Sequence, residues 1–207
     1  MKRIVMIAVL FSGLVLSGVL LSSRRGQTYD SQSENSESKV QRGFAIAPVQ
    51  LNLDGKNPSL VGLGSYIVNS QGGCNDCHTC PSYVGHTAAD NPYATGGSLS
   101  DVTKPGPVNK SNYLAGGVHF GPFVSKNLTP DPQQGNRPEG LTLDEFMTVM
   151  KTGHDPDQPG RILQVMPWPV FRHMTDRDLQ AIYEFLSAIP PAQPGMCMNA
   201  GEFQVKP

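Results

Sequence analysis

Apolar residues are unevenly distributed along the chain. The run Ile4 to Leu21 is apolar apart from small residues, and it is bounded by Lys2-Arg3 and Arg24-Arg25. It falls between the ~7–15 residues of a signal-peptide core and the ~20 of a spanning helix. Leu21-Ser22-Ser23 offers no good small-x-small cleavage site. Residues 1–25 are therefore read as a signal peptide or an uncleaved membrane anchor. Lys2 and Arg3 favour the cytoplasmic side, so either form carries the rest of the chain across the membrane. From Gln27 to Arg42 the pattern reverses to Ser, Glu, Gln and Asn with almost no large apolar residue. Such a stretch buries too little surface to offset its ordering entropy, which predicts a flexible linker over 26–58. Phe44 to Pro58 is transitional, and the folded unit is expected to begin near Ser59 and run to residue 191. A C-terminal tail follows over 192–207.

Within 59–191 the hydrophobic spacing predicts three helices. The first is Leu60 to Asn69, leading into Gly72-Gly73. The second opens at the capping box Thr142–Glu145, presents Phe146, Val149 and Met150 on one face, and stops at Gly153. The third starts at Thr175, carries Leu179, Ile182, Tyr183 and Leu186, and ends before Pro190-Pro191. No stretch alternates as a strand, and no internal repeat is present. Pro81 to Gly140 is dense in Gly, Pro and Asn. A loop of that length is unusual in a compact domain unless something else supplies the core.

Composition sharpens this picture. The 207 residues include 22 Gly and 18 Pro, more than a helix bundle carries. The formal net charge is -1. Four of the basic residues sit in the first 25, so the remainder carries an excess of acids. No basic stripe exists, which argues against a nucleic-acid partner.

The chemistry centres on Cys74-Asn75-Asp76-Cys77-His78, a C-x-x-C-H. Thiols at this spacing reach the two vinyl groups along one side of a porphyrin, and the adjacent histidine falls beneath the iron. The reading is one covalently attached haem c on Cys74 and Cys77 with His78 as axial ligand. Alternatives are weaker. A thioredoxin-like C-x-x-C needs a β-α-β context, which is not visible. Cys74, Cys77 and Cys80 form C-x-x-C-x-x-C, but a ferredoxin run wants a fourth cysteine three residues on. A zinc site lacks a second ligand pair.

The sixth iron ligand must come from elsewhere. Met147, Met150, Met166, Met174, Met196, Met198, His86, His119, His154 and His173 are candidates. Most methionines are core filler. Met166 stands out within Val165-Met166-Pro167-Trp168-Pro169, where flanking prolines stiffen the loop. His154, just past a helix end, is the rival. Trp168, Arg161 and Tyr113 are candidate propionate partners.

Taken in order, Gly62-x-x-x-Tyr66, Cys74-x-x-Cys77-His78, Met166-Pro167 and the helix with Leu179, Tyr183 and Leu186 resemble class I cytochrome c. Gly62 and Tyr66 suit the crossing of that family's first and last helices. Asn127-Leu128-Thr129-Pro130-Asp131 and Met166-Pro167-Trp168 further resemble the single-haem subunits and domains of periplasmic or membrane-bound dehydrogenases. The resemblance implies an all-α, cytochrome c-like fold, His–Met iron and one-electron transfer rather than catalysis. It places the haem domain in the periplasm, free or anchored to the inner membrane. The expected partners are redox proteins, a dehydrogenase or an oxidase, with the N-terminal segment as the membrane contact. A haem enzyme or gas-binding protein with an open sixth site is the alternative.

The sequence departs from the pattern in three respects. The insertion from about Pro81 to Phe123 is long. Only one C-x-x-C-H is present. Cys80 and Cys197 are extra, and in an oxidising compartment two spare thiols tend to pair. A Cys80–Cys197 disulfide is therefore expected, with two free thiols as the rival.

Overall fold

Asn57 caps the helix that begins at Pro58. Its side chain accepts from the Ser59 and Leu60 N–H groups, and proline at the first position needs no donor. The computed structural model describes residues 27–80, 82, 108–158 and 160–195. Six helices lie there: α1 (Gln27–Ile46), α2 (Pro58–Tyr66), α3 (Cys74–His78), α4 (Leu143–Thr152), α5 (Trp168–Phe171) and α6 (Asp176–Leu186). The compact unit considered below begins at Val40, inside α1. Four two-residue strands form two antiparallel hairpins: β1 (His119–Phe120) with β2 (Phe123–Val124), and β3 (Pro130–Asp131) with β4 (Arg137–Pro138).

The core forms where α2 and α6 cross. Val61, Leu63, Val68, Leu179, Ile182, Phe185 and Leu186 are buried there. Gly64 makes the crossing close, since a Cβ on it would lie 1.9 Å from the Ala181 carbonyl oxygen. Helix α4 packs from the side through Phe146, whose ring lies 5.6 Å from that of Tyr183. The Tyr183 hydroxyl donates to the Leu141 carbonyl at 2.9 Å. The capping box is present, with the Thr142 N–H donating to Glu145 Oε2 and the Glu145 N–H to Thr142 Oγ1. Helix α2 runs on into a π-helical turn, Ile67–Gln71, closed by the Gly72 N–H on the Ile67 carbonyl.

Two expectations change. Part of the stretch read as a flexible linker is helical, and the unit starts at Val40 rather than near Ser59. Val40 and Phe44, four residues apart, lay one apolar face on Gly62, where a Cβ would lie 2.7 Å from Val40 Cγ1. The Ser65 hydroxyl donates to the Gly43 carbonyl at 2.7 Å. Two apolar residues in a polar stretch leave little periodic signal, yet one stripe suffices when a glycine lets the backbones approach. The second correction follows from the first. Gly64, not Gly62, faces the last helix. Residues two apart lie on opposite sides of a helix, so Gly62 meets α1.

The described part of the loop-rich segment, 108–140, is held by hydrogen bonds to the motif region rather than by long strands. Leu114, buried at φ +57°, is held on both sides: its N–H donates to Thr79 Oγ1, and its carbonyl accepts from Leu128 N–H. The short hairpins are the only strands among the described residues, and the unit stays mostly helical. No helix there is long and apolar enough to cross a membrane. The apolar run at 4–21 and most of the insertion lie outside the described residues.

Candidate functional site

Helix α3 is the haem-motif segment itself. Gly73 precedes it at φ +60°, which turns the chain sharply out of the preceding helix. Cys74 and Cys77, three apart, share one helix face. The exit of the motif is tied down at successive residues. The Gly116 N–H donates to the His78 carbonyl at 2.7 Å, and Asn112 Nδ2 donates to the Cys80 carbonyl at 3.1 Å.

His78 Nδ1 lies 2.9 Å from the Lys126 carbonyl oxygen. A carbonyl only accepts, so Nδ1 carries the proton and Nε2 keeps its lone pair. Burial pulls the His78 pKa below its ordinary value, partly opposed by this hydrogen bond. The imidazole is thus neutral, the form that ligates metals. The carbonyl is aimed by its neighbour: Asn127 Oδ1 accepts from the Thr129 N–H and hydroxyl, while Asn127 Nδ2 donates to the Ala192 carbonyl at 2.8 Å.

Cys74, Cys77, His78 and Met166 line a single cavity of about 210 Å³. Much of the rest of its wall is apolar, including Val68, Phe123, Leu128, Phe146, Phe171 and Leu186. Burial pushes the Cys74 thiol up to about 12 and also raises Cys77, where Asp76 adds to the effect. Both are free thiols that stay protonated at neutral pH. A thiolate ligand or redox nucleophile needs the opposite shift. Neutral sulfurs beside a neutral imidazole in an apolar wall fit a thioether-bound haem. Cys80 is fully buried and disulfide-bonded, which removes the third thiol of C-x-x-C-x-x-C. Cys197 lies outside the described residues. Among those residues no group of three His, Cys, Asp or Glu side chains stands ready to hold a metal ion.

The remaining candidates separate clearly. Arg161 lines the cavity, while Trp168 and Tyr113 do not. The Trp168 indole donates to the Leu163 carbonyl and the Tyr113 hydroxyl to Asn69 Oδ1. His154 is likewise absent from the wall, its ring bonded to Thr152 Oγ1 at 3.1 Å. The rival to Met166 is instead Met150, a buried residue of α4 that also faces the cavity. Met196, Met198 and His86 lie outside the described residues.

Sequence reasoning missed the acid–base cluster on the wall. Lys126 Nζ lies 2.7 Å from Asp157, 3.2 Å from Asp155 and 3.3 Å from Glu139. Burial lowers the Lys126 pKa, but the three carboxylates outweigh it and hold the ammonium above its ordinary value. They share one cation, and burial raises Glu139 to about 7 despite Lys126. Four dispersed residues, 126, 139, 155 and 157, carry no common spacing signal.

A mostly helical unit in which α2 and the last helix, α6, cross at a glycine, beside an apolar cavity bearing C-x-x-C-H, fits a cytochrome c-like fold. More particularly, the chain resembles the cytochrome c subunits of dehydrogenases. It is 28% identical over 128 residues to the alcohol dehydrogenase (quinone), cytochrome c subunit, of Gluconobacter oxydans, covering 61% of this chain and 21% of that protein. The same-named subunit of Gluconacetobacter polyoxogenes is 28% identical over 142 residues, covering 68% of this chain and 26% of that one. A diheme cytochrome c-type protein of Cereibacter sphaeroides is 24% identical over 125 residues, covering 58% and 33%. The matches thus span only a minor part of each relative's length. No protein-family model and no solved structure matches the chain.

Proposed function

We propose that this chain is a single-haem c-type cytochrome that passes single electrons between redox proteins in a bacterial periplasmic or membrane respiratory chain. The observation that carries the reading is the shared cavity of Cys74, Cys77, His78 and Met166, with His78 locked in its ligating tautomer. Cys74 and Cys77 would hold one haem c covalently, and His78 and Met166 would supply the nitrogen and sulfur ligands of its iron. When bound, the haem supplies a one-electron iron couple, whose potential a thioether ligand and an apolar wall both raise. The Lys126 carbonyl holds the imidazole orientation, the aromatic and aliphatic wall excludes water, and Met166 closes the site to substrates. The role is therefore transfer and not catalysis. The names of the relatives support a dehydrogenase as the redox partner. The apolar N-terminal run supports export, with residues 1–25 as signal or anchor and the unit from Val40 onward as the haem-bearing domain.

The test is an absorption spectrum of the purified holoprotein, with haem stain on a denaturing gel. Haem that stays with the denatured chain and is lost in Cys74→Ala/Cys77→Ala supports the reading. A near-infrared band of methionine-ligated ferric haem should vanish in Met166→Ala and persist in Met150→Ala. Rapid carbon monoxide binding to the ferrous wild type would instead establish an open sixth site.

A further inference from the structure

The Met166 loop is clasped from outside the cavity. It leaves α4 at Gly153 and returns at α5. The Leu163 N–H donates to the Gly153 carbonyl at 2.8 Å, and the Leu163 carbonyl accepts from Trp168 Nε1 at 3.1 Å. The Trp168 backbone N–H donates to the Met166 carbonyl at 2.8 Å. The indole thus ties residue 163 to residue 168 across the base of the loop, with Met166 between them. Its ring occupies the space where a side chain at 153 would be: a Cβ there would lie 2.4 Å from Trp168 Nε1. Gly153 also has φ +72°, so glycine is favoured twice over. Pro167 and Pro169 restrict the backbone on either side of the tryptophan. Trp168 is not part of the cavity wall, although Leu163, Val165, Met166 and Pro167 are.

We propose that Trp168 is a positioning residue: its indole, seated on Gly153, clasps the loop so that Met166 is presented to the iron at a fixed reach. The proposal rests on the reading of Met166 as the sixth ligand. A methionine–iron bond is weak, so its occupancy depends on the loop's freedom to swing away. Loosening the clasp favours the detached loop and makes the iron more accessible to an added ligand.

The test titrates the ferric holoprotein with imidazole and follows the near-infrared band of methionine ligation. Trp168→Phe keeps an aromatic ring and loses the donor. Losing one neutral hydrogen bond should lower the imidazole concentration needed for displacement about fivefold. Val61→Ala truncates a buried core residue that does not line the cavity. It should lower the thermal midpoint and leave the imidazole titration unchanged, which separates positioning from general stability. An unchanged titration in Trp168→Phe overturns the clasp.

A measurement on the wild type serves if that variant does not fold. The chain has one tryptophan, so a single indole N–H resonance reports the bond. By reciprocity, displacing Met166 with imidazole should reduce its hydrogen-exchange protection. Unchanged protection overturns the proposal. Met166→Ala separates the two levels. Should that variant keep the near-infrared band, the ligand reading and the clasp fall together. Should it lose the band while Trp168→Phe titrates as wild type, the clasp alone falls.

Discussion

Glu139 shows how much one buried side chain carries. Its side chain is 16% exposed and shares Lys126 with two aspartates. Burial raises its carboxyl from 4.5 to about 7, against the pull of Lys126 and with a push from Asp157 and Asp155. A raised carboxyl favours the protonated folded state. Its stabilisation is full below about pH 4.5 and is lost as the pH rises through 7. Glu139→Gln mimics the neutral form, so the variant should gain on the wild type by about 2 kcal/mol between pH 5 and pH 8. Urea unfolding at the two pH values checks this, and a gap independent of pH would refute it. His78 belongs to the same scale. One backbone carbonyl sets its tautomer, and no side-chain identity announces that carbonyl.

At the scale of elements, the α2–α6 crossing depends on a missing Cβ. Gly64→Ala would place a methyl 1.9 Å from the Ala181 carbonyl oxygen, and backbone on that side has little room to yield. The expected loss is about 3 kcal/mol or more. Gly121→Ala is the contrast, with φ +61° and nothing within 4 Å of the new Cβ. Only the left-handed conformation is penalised there, at about 1 kcal/mol. Equal losses in chemical denaturation would mean that the helices do not meet at Gly64. The capping boxes and the proline and glycine stops were legible from local spacing. Helix α1 was not, because its apolar contact residues, Val40 and Phe44, matter only once Gly62 is opposite them.

At the scale of the whole molecule, the last described residue, Gly195, lies back beside the motif region. The Gly195 N–H donates to the Ala115 carbonyl at 2.8 Å, and a Cβ on Gly195 would lie 3.5 Å from Cys80 Cβ. The disulfide-bonded state of Cys80 supports the proposed link to Cys197. Non-reduced peptide mapping should recover a Cys80–Cys197 peptide pair, which reduction separates. An alkylated, unlinked Cys197 would end that assignment. Reduction of the holoprotein should lower its thermal midpoint, while haem held by the proposed thioethers should stay on the chain, since thioethers are not reducible as disulfides are.

The sequence by itself determined what adjacent residues decide. Cys74, Cys77 and His78 fall within one short helix because three-residue spacing is a local property. Met166 is conspicuous because prolines sit beside it. Tertiary structure alone decided which groups close on that motif. It set the Lys126 carbonyl on His78, Met150 rather than His154 as the other candidate facing the cavity, and Gly64 rather than Gly62 at the crossing. Each of these contacts joins residues distant in the chain. Which ones meet depends on the helix faces and loop paths of the packed fold, and no local pattern encodes that.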